Sequence, residues 1–96
     1  MTREQINVFL QDCIVSVVPD LSRDQLASDA SLRRLGVDSI DRSDIASTMR
    51  RELGIDISAL ELGKAGDLRE IVELLHTRIR IRLSLDQGVI GLKDGA

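Results

Sequence analysis

An all-α fold follows from three observations on the sequence. Apolar residues recur at spacings of three and four in three separate stretches, each tracing one face of a helix. Each stretch opens on a residue suited to cap a helix N-terminus, and the single proline, Pro19, lies between stretches. The one strictly alternating run, Arg78 to Leu85, has no second strand pattern nearby to pair with. The expected architecture is a four-helix bundle, three main helices plus a short third one in chain order.

The first stripe is Ile6, Phe9, Leu10, Cys13, Ile14 and Val17. Thr2 can cap this helix, and Glu4 and Gln5 suit its first turn. Pro19 ends it, because the residue before a proline is pushed from helical angles. From Asp20 to Asp38 the pattern loosens, with Leu21, Leu26, Leu32 and Leu35 spread among polar residues. This reads as a long ordered loop pinned by leucines, with a short helical turn at Ser31 to Leu35. Connections this long in a compact domain are usually functional.

A second helix follows Gly36-Val37-Asp38, with apolar positions Ile40, Ile45, Ala46, Met49 and Leu53. Asp38 is its expected cap, Asp41 takes the place of a capping-box acid, and Gly54 is the stop. Ile55 and Ile57 flank Asp56 in a short extended link, and Ser58 caps a brief helix from Ala59 to about Gly63. Asp67 caps the last helix, whose stripe is Leu68, Ile71, Val72 and Leu75. Beyond His76, expected near a helix end, the chain is either a continuing helix or a loose tail. The organisation expected is one domain over residues 1–85 and a flexible C-terminal tail over 86–96.

The chain has 96 residues, 43% hydrophobic and 30% charged, an ordinary balance for one small globular domain. Phe9 is the only ring, so the core must be aliphatic, and base stacking on aromatic side chains is not on offer. A net charge of −3 gives no basic face for nucleic acid. A single cysteine, Cys13, excludes an internal disulfide or a multi-cysteine zinc site; on its apolar stripe it reads as a small buried hydrophobe. The N-terminus is neither a signal peptide nor a membrane span. A cytoplasmic protein, monomeric and binding no metal, is expected.

Chemistry concentrates in Leu35-Gly36-Val37-Asp38-Ser39-Ile40-Asp41. Ser39 opens a helix directly after a capping aspartate. Free amides and a partial positive charge at that end suit an attached phosphodiester. No Gly-x-Ser-x-Gly elbow surrounds it, and the only histidine, His76, lies in the last helix, so Ser39 is not placed as a nucleophile. It is a serine presented for modification, or else a plain helix cap.

The segment resembles the acyl and peptidyl carrier protein family, whose signature is Leu-Gly-x-Asp-Ser followed by an aliphatic residue. The likeness runs from about Ile6 to Leu75 and includes the Gly-Ile-Asp-Ile link and the Gly-Asp-Leu start of the last helix. It implies that a phosphopantetheinyl transferase moves 4′-phosphopantetheine from coenzyme A onto Ser39, beside Asp38. It implies a carrier and not an enzyme, holding acyl groups as thioesters for an acyltransferase, a ketosynthase or an HMG-CoA-synthase-like enzyme. It also implies partner docking along the second helix, at Asp38, Ile40, Asp41, Arg42, Asp44, Ile45 and Met49, and at Ile57 in the following link. Ile45 and Met49 read foremost as core, because their helical spacing demands burial, and Asp41 and Asp44 read equally as a solvated face.

Two departures stand out. Ser43 replaces the aliphatic residue usual one turn after the serine, and Arg42, Arg50 and Arg51 dilute the acidity of the helix. The arginines read foremost as a solvated face. This balance points toward polyketide or related secondary metabolism, including free-standing carriers of β-branching donor type, over fatty-acid synthesis. A helical protein-interaction module without the arm is the alternative outside the carrier reading.

Overall fold

A computed structural model describes the backbone of residues 1–95 and the side chains through residue 84. Four α-helices form it: α1 over Arg3–Val17, α2 over Ser39–Leu53, α3 over Ala59–Lys64 and α4 over Leu68–Gly95. Among the described residues there is no strand.

Helix starts are set locally. Thr2 Oγ1 accepts from the Gln5 amide at 3.1 Å, and Gln5 Oε1 accepts from the Thr2 amide at 2.8 Å. The same reciprocal box forms between Asp38 and Asp41 and between Ser58 and Glu61. For α4, Asp67 Oδ1 accepts from the Glu70 amide at 2.9 Å, while the Glu70 carboxylate reaches back to the Gly66 amide. Stops are equally local. Val18, at φ −124°, leaves helical angles before Pro19, and Gly54 ends α2 at φ +65°, a left-handed conformation that glycine adopts without a Cβ clash.

The core is aliphatic, as a chain with one ring requires. Ile6, Leu10, Cys13 and Ile14 of α1 meet Ile45, Ala46 and Met49 of α2, Leu62 of α3, and Leu68, Ile71, Val72 and Leu75 of α4. α1 packs on both α2 and α4, and α3 packs on α2. The connection between α1 and α2 belongs to this core through buried Leu26, Leu32 and Val37. It also satisfies the free amides at the start of α4: Leu68 N donates to Ala30 O at 2.8 Å and Arg69 N to Ser28 O at 3.0 Å. The expected turn forms, with Leu35 N donating to Ser31 O at 3.0 Å. A one-turn 3-10 helix at Arg23–Gln25 was not anticipated.

Two expectations, on Ile40 and on His76, are corrected, and an alternative left open beyond His76 is decided. Ile40, counted among the apolar positions of α2, is 71% exposed, because it lies off the face carrying Ile45 and Met49. Of the two continuations left open beyond His76, the last helix takes the helical one. It runs to Gly95, so His76 is half-buried within it rather than near its end. The alternating Arg78–Leu85 run is therefore helix, and the backbone of the segment set apart as a tail, 86–96, is helical through Gly95, with Ala96 outside the described residues. The reason lies in the arginines. Arg78 donates to Asp56 O and pairs with Glu61, and Arg82, one turn on, lies against Gly54. A helix lays both along the α2–α3 link, whereas a strand would have left its amides unpaired. No described helix is long and apolar enough to cross a membrane.

Candidate functional site

Ser39 is the first residue of α2, two residues after a core anchor. Val37 is 2% exposed and its amide donates to Leu32 O at 2.9 Å. Gly36, at φ +80°, makes the left-handed turn that brings the chain there. Asp38 Oδ1 accepts from the Asp41 amide at 2.8 Å, and Asp41 Oδ2 accepts from the Asp38 amide at 3.4 Å. Asp38 thus does the capping. Ser39 itself is exposed, and its hydroxyl has no hydrogen-bond partner among the described residues. Nothing near it activates an oxygen: the adjacent carboxylates are engaged with amides, and the only histidine sits in α4.

The serine opens onto a groove of about 370 Å³ between α2 and α3, lined by Ser39, Arg42, Ala59, Leu60, Gly63 and Lys64. Leu60 is 67% exposed. With Ile40 it gives this end of the bundle two large aliphatic side chains facing water. Arg42 and Lys64 give the groove a cationic lining suited to a phosphodiester.

The residues read from the sequence as docking positions separate in space. Asp38, Ile40 and Asp44 are exposed, and Asp41 and Arg42 are half-buried. Ile45 and Met49 are fully buried and Ile57 is 1% exposed, so in this conformation these three are core and present no surface to a partner. The reason is periodicity: Ile45 and Met49 share the α2 stripe that meets α1.

The arginines are not simply a solvated face. Arg42 Nη1 donates to Val37 O at 2.9 Å, and Arg50 Nη1 donates to Ile57 O at 2.7 Å. Arg50 and Arg51 are both exposed, and Arg51 makes an exposed pairing to Glu52 at 3.6 Å. Leu60 and Lys64 were missed as site residues. A signal existed for Leu60: it stands two positions from Leu62, the buried residue of α3, and so lies on the opposite face of the helix.

Two carboxylates and one thiol are shifted. The Arg78 hydrogen bond holds the Glu61 carboxyl below its ordinary range, and the Arg3 hydrogen bond does the same to Glu73. Burial, with smaller contributions from Asp12 and Glu52, pushes the Cys13 thiol up to about 11, so it stays protonated and inert at neutral pH.

The family profile described as a phosphopantetheine attachment site matches residues 9–75. The polyketide biosynthesis acyl-carrier-protein AcpK of Bacillus subtilis (strain 168) is 28% identical over 80 residues, which cover 83% of this chain and 98% of that protein. No solved structure matches the chain.

Proposed function

The chain belongs to the phosphopantetheine attachment-site family, and on that premise we propose that Ser39 is the residue that receives the arm and that the acyl groups carried serve polyketide biosynthesis. The covalent group of the family is 4′-phosphopantetheine. Once attached, it supplies a thiol on a long flexible arm, to which acyl groups bind as thioesters. The residues present fit this group. The Ser39 hydroxyl is exposed and carries no internal hydrogen bond, so esterifying it costs the fold no contact. Asp38 keeps α2 capped whether or not Ser39 is modified. Arg42 and Lys64 in the adjoining groove offer positive charge to the phosphodiester.

The single observation carrying the assignment is that free hydroxyl at the first position of a helix whose cap is already supplied. This chain's own residues present, orient and release; the chemistry on the cargo belongs to partner enzymes. Those partners are of the acyltransferase, ketosynthase or HMG-CoA-synthase-like class. The part of the site that would meet them is exposed Asp38, Ile40 and Asp44 with half-buried Asp41 and Arg42. Weak, charge-steered contacts suit a carrier that must leave each partner quickly. The relative's polyketide role and the mixed charge of α2 favour that pathway class over fatty-acid synthesis. A cytoplasmic setting accords with the lone free thiol.

Incubation with coenzyme A and a broad-specificity phosphopantetheinyl transferase, followed by intact mass measurement, tests the assignment. Wild type should gain one arm and Ser39→Ala none. An unchanged mass on folded wild-type protein would favour the interaction module instead.

A further inference from the structure

We propose that Arg42 is a strap across the α2–α3 groove that keeps acyl cargo outside the bundle, making it a specificity-determining residue for short acyl groups. The inference rests on the carrier reading above.

Arg42 stands one turn after Ser39 and is half-buried. Its Nη1 donates to Val37 O at 2.9 Å, on the loop leading into the serine. Its Nε lies 3.1 Å from where a Cβ on Gly63 would stand. One guanidinium therefore touches α3 and bonds the loop before α2, while its own stem rises from α2. Glycine at position 63 leaves the surface of α3 low enough for that crossing.

Directly beyond the strap lies the closed core. Ile45 is three residues after Arg42 and Leu62 is one before Gly63, and both are fully buried in the cluster that holds Met49 and Ile57. An acyl chain entering between α2 and α3 would have to lift the guanidinium off Val37 O and off Gly63. That leaves a carbonyl without its charged donor, a loss that a two-carbon unit cannot offset with its small apolar surface. A longer chain meets a charged head group where an apolar door would be needed. Outside the strap, exposed Leu60 offers apolar contact in the same groove.

The test uses the full chain loaded with acetyl- or octanoyl-phosphopantetheine by a promiscuous transferase. Amide chemical shifts of Ile45, Met49, Ile57 and Leu62 report entry into the core, and cleavage by hydroxylamine reports shielding of the thioester. In wild type both acyl forms should show coincident core shifts and equal cleavage rates. In Arg42→Ala the octanoyl form alone should shift the core amides and be cleaved several-fold more slowly. Gly63→Ala gives an independent second probe, because it crowds the strap without removing its charge and raises the helix propensity of α3. It should move the octanoyl form in the same direction by less. Core shifts in octanoyl wild type would overturn the strap, as would octanoyl Arg42→Ala and Gly63→Ala forms indistinguishable from octanoyl wild type. Failure of wild type to accept any arm would overturn the carrier reading and the strap with it.

Discussion

The two connections flanking α2 are held by different forces. The long one, residues 18–38, is anchored by Leu26, Leu32 and Val37 in the core and by backbone hydrogen bonds to the first turn of α4. The short one, residues 54–58, also buries Ile55 and Ile57, but its carbonyls are held by long side chains: Arg50 on Ile57 O and Arg78 on Asp56 O. Side chains of that length must be ordered to make such bonds, and ordering costs entropy. One wall of the groove beside Ser39, α3, is seated in the core by Leu62, while the carbonyls of the link that leads into it are held by charged side chains. The loop that leads into the serine is fixed by apolar anchors and backbone bonds. The link into α3 adds the weaker device.

The contrast is sharpest where a single anchor is removed. Leu32→Ala deletes a nearly fully buried side chain in the long connection and should cost about 2–5 kcal/mol, a large share of the stability of a domain this size. The chain has no Trp or Tyr, so the measurement is urea unfolding followed by far-ultraviolet circular dichroism. A cost below that of the arginine variant described next would break the ranking of the two devices.

Arg50→Met retains an apolar stem and removes the charged donor to Ile57 O, and should cost about 1–2 kcal/mol by the same assay. Its effect should be local as well as small. Hydrogen exchange should rise in 54–64 and stay unchanged in 20–37.

Capping separates Asp38 from Ser39. Asp38→Ala loses the bond to the Asp41 amide and should cost about 1 kcal/mol, while Ser39→Ala should change stability by no more than about 0.5 kcal/mol. Thermal melts of both variants test this, and a larger loss for Ser39→Ala would move the cap to the serine.

The smallest expected effect is acid sensitivity at α3. The folded Glu61 carboxyl is held below its usual range by Arg78, so it titrates lower when folded than when unfolded. Its contribution is present above about pH 4.3, the ordinary glutamate value, and is lost as pH falls through the lower folded value. The melting temperature of wild type should exceed that of Glu61→Gln at pH 6, and the gap should close below pH 4. A gap independent of pH would mean that the Arg78 pairing contributes nothing through charge.

Most of the serine's setting was legible in the sequence. Thr2, Asp38, Ser58 and Asp67 cap the helices they were expected to cap, and Gly54 ends α2. The stripes of α1 and α4 are buried as spaced, with Phe9 and Val17 at their half-buried margin. Ile57 and Ile40 were harder. One residue on a short link and one at the first turn of a helix carry too little periodicity to reveal which way they face: Ile57, read as a docking position, is buried, and Ile40, read both as an apolar position of α2 and as a docking position, is exposed.

Caps, stops and buried stripes were decided by the sequence alone, because each depends on groups three or four residues apart whose geometry is the same in any helix. The partners of Arg42, Arg50 and Arg78, the closing of the groove over Gly63 and the continuation of α4 past Leu75 were decided only in the tertiary structure. A guanidinium on a flexible stem can pair with any acceptor within reach, and which acceptors are within reach is a property of the packed helices. Arg78 finds Glu61 and Asp56 across 17 and 22 residues of chain, a meeting that no local pattern encodes.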